Sequence, residues 1–152
     1  MKKIKNISLT CLISGLILFG SCKSGSADKK VPELANEMCD CFSTFQKRFD
    51  SESASLLKEV STSSDPKNLF QEGIRKMSPE KAEFFTRQIQ SLGDKSSSVY
   101  SCLSDFDKKH GKETTKSKSE LKKKLLTELQ KKGNCFTAAA MVNLDIQRNP
   151  GN

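Results

Sequence analysis

Val31-Pro32-Glu33-Leu34-Ala35-Asn36-Glu37-Met38-Cys39-Asp40-Cys41-Phe42 carries two patterns at once. Val31, Leu34, Met38 and Phe42 recur every three or four residues, and Phe45 and Phe49 continue the series. That spacing lays one apolar stripe along a helix. Pro32 suits an opening turn, so a first helix is predicted over residues 31–59, weaker after Asp50, where serines dominate. Inside the stripe sits Cys39-Asp40-Cys41. Residues two apart on a helix differ by about 200°, which puts Cys39 about 100° to one side of Met38 and Cys41 about 60° to the other. The two sulfurs flank the apolar face rather than sharing a side, so one helix can be clipped to two different neighbours.

Working outward, the same periodicity recurs to the end of the chain. Ser61 to Ser64 reads as a loop, and Asp65-Pro66 as an N-cap followed by proline at the first helical position. Leu69, Phe70, Ile74 and Met77 make a short second helix. Ser78-Pro79-Glu80 repeats the start signal. Phe85, Ile89, Leu92, Ser96, Val99, Leu103 and Phe106 then predict a third helix to about Lys109, with Gly93 and Ser96 to Ser98 as places where it can break. Gly111 is a stop signal. Residues 113–132 form a lysine-rich helix with Leu121, Leu125, Leu126 and Leu129 on one side. Gly133-Asn134 ends it, with Asn134 able to cap the next helix. Cys135, Phe136, Ala139, Ala140, Met141 and Leu144 give that last helix a small-residue apolar face. No segment keeps a strand period. The expectation is an all-α domain over residues 31–148, a small bundle of about four to five helices, with a disordered tail at 149–152.

The N-terminus is different in kind. Lys2, Lys3 and Lys5 precede an apolar run, Ile7 to Phe19, of 13 residues. That is signal-peptide length and too short to span a bilayer. Leu18-Phe19-Gly20-Ser21-Cys22 closes it. The pentapeptide resembles the lipobox of bacterial lipoproteins, with Leu18 one place earlier than usual and Phe19 third before the cysteine. The resemblance implies removal of residues 1–21 and a thioether-linked diacylglycerol on Cys22. Two or three acyl chains, at roughly 0.8 kcal/mol per buried methylene, would hold the chain on a membrane almost permanently. Conventional cleavage after Ala27, releasing a soluble secreted chain, and, less favoured, an uncleaved membrane anchor are the alternatives. Residues 22–30, the lipidated cysteine and the polar Lys23 to Lys30, read as a flexible tether.

An exported chain meets an oxidising compartment, where cysteines pair. With Cys11 lost in the signal and Cys22 lipidated, Cys39, Cys41, Cys102 and Cys135 remain. Cys102 lies beside the stripe of the third helix and Cys135 opens the last. Two long-range disulfides are expected, either Cys39–Cys102 with Cys41–Cys135 or the crossed arrangement. Two other chemistries compete: a redox pair, and a thiolate metal site completed by Cys102 and Cys135. Zinc sites usually space cysteines by two to four residues twice over, and thioredoxin-like chemistry wants Cys-x-x-Cys after a strand. Neither pattern occurs, so no metal or cofactor is assigned.

Charge and composition narrow the rest. The chain has 26 basic residues against 18 acidic; losing Lys2, Lys3 and Lys5 leaves 23. There is no Trp and one Tyr, so a stacking platform for bases or sugars is not expected, and neither nucleic acid nor nucleotide is a predicted partner. The run from Lys112 to Lys132, with eight lysines, reads as a solvated helix face, with anionic headgroups or an acidic partner as the functional alternative. His110 has no carboxylate or thiol partner in sequence and reads as an exposed helix-end residue. No Gly-x-Ser-x-Gly, His-Glu-x-x-His or phosphate loop occurs, and no catalytic residue is assigned.

Met38-Cys39-Asp40-Cys41-Phe42 and Asn134-Cys135-Phe136-Thr137-Ala138-Ala139 together resemble small helical lipoproteins of the Bacteroidetes type. That resemblance brings no activity. It implies a helical, lipid-anchored envelope protein. Lys23-Ser24-Gly25-Ser26 stands after Cys22 in place of a run of acids that would direct surface export, which favours the periplasmic face of the outer membrane over the surface. The expected role is non-enzymatic binding of an unknown protein partner, with membrane contact through Cys22. A thiol-based metal binder and a helical carrier of lipid or another small ligand are the alternatives.

Overall fold

The computed structural model describes residues 27–110 and 118–148. Among them are seven α-helices and no strand: α1 Ala27–Ser43, α2 Ser51–Thr62, α3 Pro66–Lys76, α4 Pro79–Gln90, α5 Ser98–His110, α6 Lys118–Lys131 and α7 Phe136–Arg148. The all-α expectation holds, but the helices are more numerous than the four to five expected, because two long ones each break.

The first break follows Ser43. The apolar stripe does run through α1, where Val31, Leu34, Met38 and Phe42 are buried, and Phe45 just past its end is buried too. Beyond it a 3-10 turn over Gln46–Arg48 leads into extended backbone at Phe49, with ψ 138°. Asp50 then starts a new helix, its carboxylate accepting from the Ser53 N–H at 2.8 Å. An aspartate with serines behind it competes for backbone donors better inside a cap than inside a helix, which is why the serine-rich segment restarts rather than continues. The second break is at Ser91–Gly93, a 3-10 turn between α4 and α5. Asp94 accepts from the Ser96 N–H and hydroxyl, and Ser97 Oγ accepts from the Tyr100 N–H at 3.1 Å. Those contacts end one helix and cap the next at the serines already marked as a weak point.

At its other end α1 begins at Ala27, so residues 27–30, expected to be tether, are helical, and Pro32 lies within the helix. Proline there forfeits one hydrogen bond to the preceding turn. Residues 22–26, like the signal segment, Gly111 and residues 149–152, lie outside the described residues. The expected starts after Asp65 and Ser78 are realised: Asp65 accepts from the Asn68 N–H and Ser78 from the Lys81 N–H, each with proline next. Asn134 is not the cap of α7. Cys135 stands in that place, its carbonyl accepting from the Ala139 N–H at 3.0 Å.

The core is centred on α7. Every residue from Thr137 to Leu144 is buried, and a helix covered on all sides needs small side chains to admit its neighbours. Ala138, Ala139 and Ala140 provide them, and α2, α6, α3 and α1 pack around. A second layer is aromatic. Phe42, Phe45, Phe49, Phe85 and Phe70 touch in sequence, at centroid distances from 5.2 to 6.3 Å, tying α1 to α3 and α4. Gly73 lets α2 and α3 close: a Cβ there would overlap the Leu56 side chain.

Candidate functional site

The two disulfides and the polar contacts beside them are the chemically distinctive part of the body. Cys39 is bonded to Cys135, with Cα atoms 5.2 Å apart, and Cys41 to Cys102, at 5.6 Å. Of the two pairings left open by the sequence, the protein uses the crossed one. The physical reason is the flanking geometry of α1. Cys39 faces the side covered by α6 and the start of α7, and Cys41 faces α5. The bonds differ in setting. Cys135 is wholly buried and Cys39 nearly so, whereas Cys102 is exposed.

One turn along α1 from Cys41, Glu37 receives the end of α5. Its Oε2 meets His110 Nε2 at 2.8 Å and its Oε1 accepts from Lys109 Nζ at 2.8 Å. The His110 ring lies against Phe106, with centroids 4.9 Å apart, and its side chain is 13% exposed. This corrects the expectation of an exposed histidine without a partner. The Lys109 hydrogen bond, then that of His110, holds the Glu37 carboxyl below its ordinary range. Asp107, on the same helix, is pushed up by burial. Its Oδ1 and His110 Nδ1 are buried without a hydrogen-bond partner. Sequence reasoning missed Glu37 because its partners are more than 70 residues away. The only available signal was the spacing: Glu37 and Cys41 share a face of α1, as Cys102 and Lys109 share one of α5.

The other side of the bundle carries its own polar contacts. Asn143 on α7 donates from Nδ2 to the carbonyls of Val60 and Ser63, both at 2.9 Å. Gln130 on α6 donates to Ser61 O at 2.7 Å, and Gln147 to Ser64 O at 2.6 Å. Three amides thus satisfy the carbonyls that the end of α2 leaves free, in place of a glycine cap. Lys122, one of the run expected to be a solvated face, is 6% exposed and pairs with Asp145 of α7 at 2.8 Å. Lys123 and Lys131 are exposed as expected.

With the four sulfurs bonded in pairs, none is a thiolate, and the two on α1 face different neighbours rather than one centre. Among the described residues, no group of three or more His, Cys, Asp or Glu side chains is placed to hold a metal ion. None of the described helices is long and apolar enough to cross a membrane. Cys22, the lipidation candidate, lies outside the described residues. No protein-family model, curated protein or solved structure matches the chain.

Proposed function

We propose that the protein is a lipid-anchored lipoprotein of a bacterial cell envelope, held by acyl chains on Cys22. Its helical body works as a non-enzymatic interaction module on the periplasmic side of the outer membrane. The observation that carries this reading is the closure of all four body cysteines into two disulfides. Such bonds persist in exported proteins and are rare where glutathione and thioredoxin keep thiols reduced. The charged start, apolar run and Cys22 at the N-terminus supply the matching export and anchoring signal. The partner is a protein, engaged by a body whose shape the two clips fix.

The test is an intact mass of the membrane-extracted protein, with and without reductant, followed by non-reducing peptide mapping. The expected mature chain starts at Cys22, carries acyl mass, and has four hydrogens fewer than its reduced form. A chain starting beyond Cys22 without lipid would overturn the anchor. Four free thiols, or metal retained in native spray, would replace the disulfide body with a thiolate site.

A further inference from the structure

The two disulfides offer an attacking thiolate different targets. Exchange proceeds by attack on one sulfur while the other leaves, so it needs one reachable sulfur. In the Cys39–Cys135 bond neither end provides it, since both residues are buried. In the Cys41–Cys102 bond one end does: Cys41 is buried in the stripe of α1, but Cys102 is exposed on α5. Attack at Cys102 requires no helix to move, and attack at any of the other three does. Three carboxylates lie within a turn of this bond. Asp105 is met by Lys108 at 3.0 Å, and Glu37 by Lys109 and His110. Exposed Asp40 adjoins the buried sulfur residue rather than the reachable one.

What the bond holds is α5. That helix packs chiefly on α1 and on the turn Ser91–Gly93, and buries Val99, Leu103 and Phe106. Its remaining ties to α1 are the contacts of Lys109 and His110 with Glu37, and the lysine pair lies in solvent, where such pairs hold weakly. The Lys108–Asp105 pair lies within α5 and ties it to nothing. The rest of the core gathers around α7 and keeps its own sealed bond.

We propose that Cys41–Cys102 is a redox clip, opened by an external dithiol through attack at Cys102. The first thiolate of the dithiol bonds to Cys102 Sγ, the Cys41–Cys102 bond breaks, and Cys41 leaves with the electron pair and takes up a proton. The second thiolate of the dithiol then displaces Cys102, which is protonated in turn. Two electrons have passed to the protein, the dithiol ends as a disulfide, and α5 is released from α1 while Cys39–Cys135 still closes the bundle. This rests on the disulfide part of the reading above and not on the lipid.

The experiment maps the membrane-extracted full chain before any reductant, then after graded reduced glutathione and an acid quench. The expected first product carries glutathione on Cys102 and a free thiol on Cys41, with Cys39–Cys135 intact. At a dithiothreitol concentration that opens only this bond, amide exchange over Ser98–His110 should rise roughly thirty-fold or more, with Phe136–Arg148 unchanged, and should fall back on reoxidation. In the single variants, Cys102 left free by Cys41→Ser should alkylate roughly ten-fold faster or more than Cys41 left free by Cys102→Ser. Glutathione on Cys41 first, both bonds opening together, or an opened bond with α5 exchange unmoved overturns this inference and leaves the disulfide body standing. Four free thiols before reductant is added overturn the disulfide body and this inference together.

Discussion

The two sides of α1 are clipped by the same bond in opposite surroundings. On the Cys39 side the disulfide is sealed, 9% exposed at one sulfur residue and 0% at the other, where α1, α6 and α7 meet. Behind it lies α7, buried over eight consecutive residues. On the Cys41 side the partner, Cys102, is exposed, and α5 contributes only Val99, Leu103 and Phe106 to the core. There the Glu37 contacts with Lys109 and His110 do part of the holding. One side is held by burial with a bond inside it; the other is held by a bond with little burial around it.

Loop entropy hardly distinguishes them. The closed loops differ by 96 against 61 residues, which the chain-entropy relation converts to about 4.7 against about 4.3 kcal/mol. Any larger gap between the two must come from the native surroundings. The pair of variants Cys39→Ala/Cys135→Ala and Cys41→Ala/Cys102→Ala tests this. Removing the sealed bond also leaves a void among packed helices, so its urea midpoint should fall further, by about 4–5 kcal/mol in unfolding free energy. Removing the open bond should cost less globally, about 2–4 kcal/mol, and should raise amide exchange selectively over α5. Equal midpoints with uniform exchange would break the comparison. Graded reductant with alkylation gives a second reading of the same difference: Cys41 and Cys102 should label while Cys39 and Cys135 remain bonded.

A change of intermediate size sharpens the Cys39 side. Asn143→Ala removes the donor shared by the Val60 and Ser63 carbonyls at the buried end of α2. Unmet buried acceptors cost about 1–3 kcal/mol each, partly relieved where water reaches Ser63. The expected loss is about 2 kcal/mol, read as a lower urea midpoint with an unchanged slope. Gly73→Ala, which drives a methyl into Leu56, should cost about 1–2 kcal/mol through the same α2 packing. If neither moves the midpoint, α7 is not the organising helix.

The apolar half of this architecture was readable in advance, because helix stripes and proline-marked starts are local. The stripe of α1, the capped starts at Asp65 and Ser78, and the flanking placement of Cys39 and Cys41 all follow from spacing alone. The breaks after Ser43 and Gln90 depend on Asp50, Asp94 and Ser97 out-competing helix continuation by single hydrogen bonds, an energy margin too small for periodicity to show. The polar contacts were the least legible. Lys122 looks like its neighbours Lys123 and Lys124 until α7 brings Asp145 to it, and Glu37 gains meaning only when α5 returns antiparallel with His110. Such pairs are set by the fold, and nothing within one turn of either partner announces them.

Acid should weaken the Cys41 side selectively, and this is the smallest effect expected. The folded carboxyl of Glu37 sits below its ordinary value of 4.5, chiefly through Lys109 and then His110. A carboxylate lowered on folding contributes stability that is fully present above its unfolded value, and that contribution is lost as pH falls through the folded one. Glu37 is 39% exposed, so solvent screening limits the contribution to about 0.5 kcal/mol. Asp107 works in the opposite sense, since burial raises its carboxyl and protonation there favours the folded chain as pH drops. Wild type alone therefore mixes two signs. The difference between wild type and Glu37→Gln isolates the first, because Asp107 is common to both. That difference, in α5 amide exchange and in urea midpoint, should be present at pH 6 and should shrink as pH falls below the ordinary carboxylate value of 4.5 and through the lower folded one. A difference that persists in acid would mean that the Glu37 contacts act through shape rather than charge, and that α5 is held to α1 by its disulfide and three core side chains alone.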